Sequence, residues 1–120
     1  DASTRIEVLN YLVDLCKRSG MSVLFITHDL NLGYYISDYT MIMYQGRLVE
    51  KGVTEKIYKN PVHPYTKMLF ESVPDINKKW DQNKKFLPEQ VVNNVQQFYA
   101  HNKGRGIEEI EEGHSVLFSV

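Results

Sequence analysis

Residues 22–30 read S-V-L-F-I-T-H-D-L. Ser22 to Thr27 is a continuous apolar run, partly β-branched, closed by the polar pair His28-Asp29. A strand covered on both faces has no polar side to present, so such a run predicts a buried strand of a parallel α/β sheet. Upstream, Ile6, Leu9, Leu12, Val13 and Cys16 recur at helical spacing, which predicts an amphipathic helix over 4–19 packed on that sheet. Thr4 and Glu7 have the T-x-x-E spacing of a capping box, and Gly20 is placed to end the helix. Downstream, a short helix is expected over 29–37 with Asp29 as N-cap. Two strand-like runs follow, Tyr39–Tyr44 and Arg47–Lys51. Only Gln45-Gly46 separates them, which is a hairpin signal. The first 52 residues thus predict helix, buried strand, helix and antiparallel hairpin.

The texture changes at Thr54. Thr54–Asn60 predicts a short helix stopped by Pro61, and Pro64–Val73 another stopped by Pro74. Asp75–Lys85 is polar and charged around Trp80 and reads as a solvated loop, with Lys78, Lys79, Lys84 and Lys85 forming no binding patch. Val91, Val92, Val95 and Phe98 give a helix over 87–101, and Lys103–Gly106 breaks it. Ile107–Val120 predicts two short strands around Glu112-Gly113.

Composition bounds the function. With 120 residues, 42% hydrophobic and 24% charged, the chain can build one modest core. A net charge of −1 excludes a nucleic-acid arm or a polybasic membrane binder. No apolar run is long enough to span a bilayer and no signal segment opens the chain. The single cysteine, Cys16, excludes an internal disulfide and reads as a small buried hydrophobe. The chain opens on Asp1 directly before a helix and is expected to be a piece of something longer.

In open parallel sheets, ligands collect beyond the carboxyl ends of strands, and His28 stands at that end of the predicted strand. A histidine after a strand is more often structural than chemical, but its surroundings shift the weighting. The order Asp1-Ala2-Ser3-Thr4, helix, L-F-I-T-H-D-L at 24–30 and M-I-M-Y-Q-G-R-L-V-E-K-G at 41–52 resembles the final third of an ABC-transporter ATPase core. N-P-V-H-P-Y-T-K-M-L at 60–69 is similar to the H-P-Y-T signature of the oligopeptide and dipeptide importer ATPases. The tail I-E-E-I-E-E-G-H-S-V at 107–116 is similar to the acidic strand and G-H turn that close those proteins.

The resemblance implies a fold and a function. Residues 1–52 would be the C-terminal part of a P-loop ABC ATPase core, and 53–120 a small α+β extension of the oligopeptide-transporter type. His28 would be the switch histidine that contacts the γ-phosphate of ATP and helps align the attacking water. Asp1 would be the D-loop aspartate. Asp29 reads as a helix cap instead of a catalytic acid. The intact protein would use ATP and Mg, pair with a second ATPase subunit and with transmembrane permease subunits, and sit in the cytoplasm on the inner face of the plasma membrane. It would energise peptide import.

The chain lacks a G-x-x-x-x-G-K-[S/T] phosphate loop, an L-S-G-G-Q signature and a Walker B carboxylate pair, so the chain alone is expected to be inactive and to need no cofactor. No cysteine follows Cys16, so the iron–sulfur cluster associated with many relatives is not expected. Unpaired strand edges are expected to drive self-association. A competing reading makes 53–120 a non-catalytic docking or regulatory module. A third makes the chain an independent small α/β binding protein. His63, Pro64 and Tyr65 read as packing residues. His101 and His114 read as surface residues, with a metal pair between them as the weaker alternative.

Overall fold

A computed structural model describes residues 2–72 and 88–120. Asp1, and the loop reading around Trp80 and its lysines, lie outside the described residues. The chain divides into two compact units, residues 1–37 and 38–120.

In the first unit, α1 spans Ala2–Arg18 and α2 spans Leu30–Ile36. Helix α1 starts upstream of Thr4, so the predicted capping box is not the start of the helix. The C-terminus follows expectation. The Gly20 N–H donates to Lys17 O at 3.3 Å and the Met21 N–H to Cys16 O at 2.9 Å, the paired bonds of a Schellman motif. Ile6, Leu9, Val13 and Cys16 are half-buried, while Leu12 stays exposed.

The predicted strand over 22–27 is not formed. Residues 21–27 have no strand pairing, and Leu24 and Ile26 are 77% and 89% exposed. A strand buried on both faces exists only with hydrogen-bonded neighbours and covering helices. The described residues of this unit supply no strand to pair with it, so α1 has no sheet to cover and meets α2 instead.

The second unit is an antiparallel sheet carrying helices. Its strands are β1 (Tyr39–Tyr44), β2 (Arg47–Val53), β3 (Ile107–Glu111) and β4 (His114–Leu117), in the order β1-β2-β4-β3. Gln45 and Gly46 have φ of 49° and 76°. Positive φ at both central residues is the two-residue turn whose twist matches the flanking strands, which is why the predicted hairpin closes there. The sheet also joins the hairpin to the tail, because β4 pairs with β2 through Glu50–Val116, Lys51–Ser115 and Gly52–His114. That register needs glycine at 52. A Cβ there would lie 2.1 Å from the Gly113 carbonyl oxygen.

Three helices complete the unit: α3 (Thr54–Lys59), α4 (Pro64–Glu71) and α5 (Pro88–His101). Ile42, Val49, Ile57 and Leu117 form the buried core, with Tyr44, Tyr58, Tyr65, Leu69, Phe70 and Tyr99 packed around it. Each fully buried aliphatic side chain contributes about 1.5–3 kcal/mol relative to exposure. Rings interlock at the rim: Tyr44 and Tyr65 lie 4.6 Å apart between centroids, as do Tyr58 and Phe70. The tail is fastened by Phe118, which stacks on Phe98 at 5.6 Å and carries the Arg105 guanidinium 3.7 Å from its centroid. No helix among the described residues is long and apolar enough to cross a membrane.

Candidate functional site

Two regions hold polar side chains in non-trivial geometry, one in each unit. The first is the turn Thr27-His28-Asp29. The Thr27 hydroxyl accepts the Asp29 N–H at 2.9 Å, and Asp29 Oδ1 accepts the Leu32 N–H at 3.2 Å. Asp29 is the N-cap of α2, as its sequence position predicted. Both neighbours of His28 are therefore engaged in shaping the turn. His28 itself is exposed, and its ring has no hydrogen-bond partner among the described residues. Such a side chain can offer one donor and one acceptor to something outside the unit.

The second region is buried and centres on the segment before α4. Glu50, His63 and His114 are each essentially inaccessible, at 1%, 0% and 0% exposure. Pro64 occupies the first turn of α4, where its missing N–H costs nothing, and His63 caps the helix: its Nδ1 accepts the Tyr65 N–H at 3.1 Å. That acceptor role fixes the tautomer, so the proton sits on Nε2 and is donated to the Tyr99 hydroxyl at 3.0 Å. Burial pushes His63 down to about 4, since a charged imidazolium in this site would lose its hydration. Burial likewise raises the Tyr99 hydroxyl, with Arg47 opposing the shift. The histidine–proline–tyrosine stretch is thus a packing and capping device, as its residue types indicated.

Glu50 receives two backbone donors and also meets an imidazole nitrogen. Oε1 accepts the His63 N–H at 2.8 Å, the Val62 N–H lies within 3.1–3.2 Å of both oxygens, and Oε2 meets His114 Nε2 at 2.5 Å. The other ring nitrogen of His114 faces Glu111 at 3.3 Å. His114 was expected at the surface, and this is a correction. It lies on β4, an interior strand of the sheet, opposite a carboxylate 64 residues earlier in the chain. Nothing local in the sequence carries that pairing. His101 does lie at the surface, on the last turn of α5. The metal pair weighed for His101 and His114 does not form, since His114 turns inward onto carboxylates. No group of three or more His, Cys, Asp or Glu among the described residues is arranged to hold a metal ion.

Comparison with known proteins gives the stretch its family. The family model described as "Oligopeptide/dipeptide transporter, C-terminal region" matches residues 49–103, which contain Glu50, His63 and Tyr99. The dipeptide transport ATP-binding protein DppF of Haemophilus influenzae is 48% identical over 77 residues, covering 64% of this chain and 24% of that protein. DppF of Escherichia coli is 47% identical over 77 residues, covering 64% and 23%. The oligopeptide transport ATP-binding protein OppF of Bacillus subtilis is 40% identical over 84 residues, covering 70% and 28%. The chain spans about a quarter of the length of the curated relatives it matches. Residues 49–103 thus match the C-terminal region of the oligopeptide/dipeptide transporter family, and the relatives this chain is similar to are dipeptide and oligopeptide transport ATP-binding proteins, each matched over part of its length.

Proposed function

We propose that this chain is the C-terminal part of an ATP-hydrolysing subunit that energises peptide import, with His28 as the residue that contacts the γ-phosphate. The observation that carries the reading is the Thr27-His28-Asp29 turn. Its flanking side chains satisfy the backbone and cap α2, leaving an exposed imidazole without a partner among the described residues. A small ring held at a helix entrance suits close contact with a phosphate oxygen, where a hydrogen bond to a charged acceptor is roughly twice as strong as a neutral one. ATP hydrolysis in such machines rests on positioning and charge stabilisation instead of covalent steps. When bound, Mg would neutralise the phosphate charge; this chain shows no residues assigned to hold it. In this reading Asp1 belongs to the loop between two ATPase subunits, and residues 1–52 belong to a P-loop core continued by a 53–120 extension. The exposed apolar side chains of residues 21–27 support it, because a run of that composition is suited to a sheet with further strands.

The subunit would act with a second ATPase subunit and with permease subunits, at the cytoplasmic face of the membrane. The relatives are named for dipeptide and oligopeptide transport, which makes peptides the proposed cargo. The test is reconstitution of the full-length protein with its permease in vesicles. His28→Ala should abolish ATP hydrolysis and peptide uptake while leaving nucleotide binding in place. Hydrolysis at the unmodified rate would remove His28 from the reaction. Residues 1–120 alone should not hydrolyse ATP.

A second reading, a docking or regulatory module without chemistry, draws on the buried architecture of the second unit. Residues 38–120 keep the four strands together, so this is the piece to assay. Its binding to the permease or to the paired ATPase, without nucleotide, would favour that role.

A further inference from the structure

Helices α4 and α5 pack together, and an open groove of about 490 Å³ runs along them. Its floor is half-buried and apolar, with Val62 and Pro64 on one side and Phe98 on the other. That floor is held from beneath. Val62 and Pro64 flank His63, whose backbone N–H is bonded to Glu50 and whose ring is bonded to Tyr99. Phe98 meets the same His63 ring edge-on at 5.5 Å and stacks on Phe118 at 5.6 Å. The rim is exposed and polar: Lys67 stands on α4, and Asn94, Gln97 and His101 on α5. Among the described residues, the side chains of Lys67, Asn94 and Gln97 have no hydrogen-bond partner, and no carboxylate lines the groove. A fixed apolar floor under polar groups with free valence binds a ligand at low ordering cost. We propose that this groove docks an extended peptide segment of a partner protein, one that carries an apolar side chain next to a carboxylate.

The chemistry of the rim selects that occupant. Asn94 and Gln97 each offer an amide donor and a carbonyl acceptor, the complement of a peptide backbone. They stand one helical turn apart, with His101 next on the same face of α5. The His101 Nδ1 lies 3.2 Å from the Gln97 carbonyl oxygen, which can only accept. The neutral ring therefore keeps its proton on Nδ1 and leaves Nε2 as a further acceptor. A fully ionised phosphate brings acceptors alone and would leave Nε2 and both amide oxygens unmatched. A cation would be repelled by Lys67. A peptide backbone matches donors and acceptors alike, Lys67 is the charge complement of a carboxylate, and Val62, Pro64 and Phe98 receive an apolar side chain. The open shape suits a chain laid along two helices better than an enclosed small molecule. The site rests on the docking role of the second unit, to which it gives an address.

The test is an NMR titration of the whole chain with capped acetyl-Leu-Glu-Leu-amide, with acetyl-Leu-Gln-Leu-amide and inorganic phosphate in parallel. The glutamate peptide should give saturable shifts at Lys67, at the side-chain amides of Asn94 and Gln97, and at the Phe98 ring. It should bind about threefold more tightly than the glutamine peptide, the effect of one exposed ion pair. Lys67→Gln should erase that difference, and Asn94→Ala with Gln97→Ala should weaken both peptides by about tenfold. All three positions are exposed, so resonances away from the groove should stay in place in these variants. Shifts that fail to saturate, shifts centred outside the groove, equal binding of the two peptides, or displacement of the glutamate peptide by phosphate would each overturn the proposal. Groove shifts that grow with protein concentration in the absence of peptide would assign the groove to a second copy of the chain, which overturns it too. If the groove stays silent while residues 38–120 bind the permease or the paired ATPase, the docking role survives and this site for it falls.

Discussion

His63 works only as a neutral ring. Its Nδ1 must accept from Tyr65 while Nε2–H is donated to Tyr99, and burial enforces this by lowering its pKa to about 4 from 6.5. The unfolded chain therefore binds a proton that the folded chain refuses between those values. Stability is full above about pH 6.5, falls as pH drops towards about 4, and is flat below, as far as this group is concerned. The expected loss is about 3 kcal/mol, because each tenfold drop in proton affinity on folding is worth about 1.4 kcal/mol. Urea midpoints measured across that range should decline accordingly, and His63→Gln should flatten the decline. Tyr99→Phe removes one partner of this ring and should cost about 1–2 kcal/mol at neutral pH. Glu50→Ala is a heavier loss, because it strands the buried His114 ring and two backbone donors. A penalty of about 3–5 kcal/mol is expected in the same urea assay. A loss below that of Tyr99→Phe would show that Glu50 is not the centre of the network.

Among the elements, β2 is the hinge of the design. It pairs with β1 through a tight turn and with β4 through a short ladder, and it delivers Glu50 to the loop before α4. Its approach to β4 depends on Gly52, where an added Cβ would sit 2.1 Å from Gly113 O and 2.9 Å from His114 Cα. Backbone atoms cannot swing aside as a flexible side chain can. Gly52→Ala should cost about 3 kcal/mol and raise exchange of the β4 amides while sparing the β1–β2 turn. Equal protection in the variant would mean that the ladder tolerates a wider spacing. The 22–27 run shows the opposite situation, a segment whose side chains suit a sheet but which has no strand beside it among the described residues.

On the scale of the whole molecule, that run and the exposed side chains of α1 leave much apolar surface in the first unit, including Val8, Tyr11, Leu15, Leu24 and Ile26. Apolar exposure on this scale favours association. The chain 1–120 should self-associate with rising concentration in light scattering. Leu24→Asp with Ile26→Asp should shift it towards monomer without changing the stability of residues 38–120. A monomer at all concentrations in the unmodified chain would show that this surface is not adhesive.

Local physics settled most of the elements from the amino-acid order alone. Helical spacing and a terminal Gly20 placed α1, Asp29 placed the start of α2, Gln45-Gly46 placed the first hairpin, and Pro64 placed α4. Each depends on residues within a few positions of one another. The motif residues at 60–69 likewise indicated the family, and they lie inside the stretch its model matches. Tertiary structure alone decided which side chains became partners. Only folding brings Glu50 to His114, 64 residues away, and turns an apparent surface histidine into a buried one. It also decided that Ser22–Thr27 forms no strand here, because strand formation requires a neighbour and the run carries only the propensity. Pairing across long loops is set by the closure of the whole sheet, which no window of sequence contains.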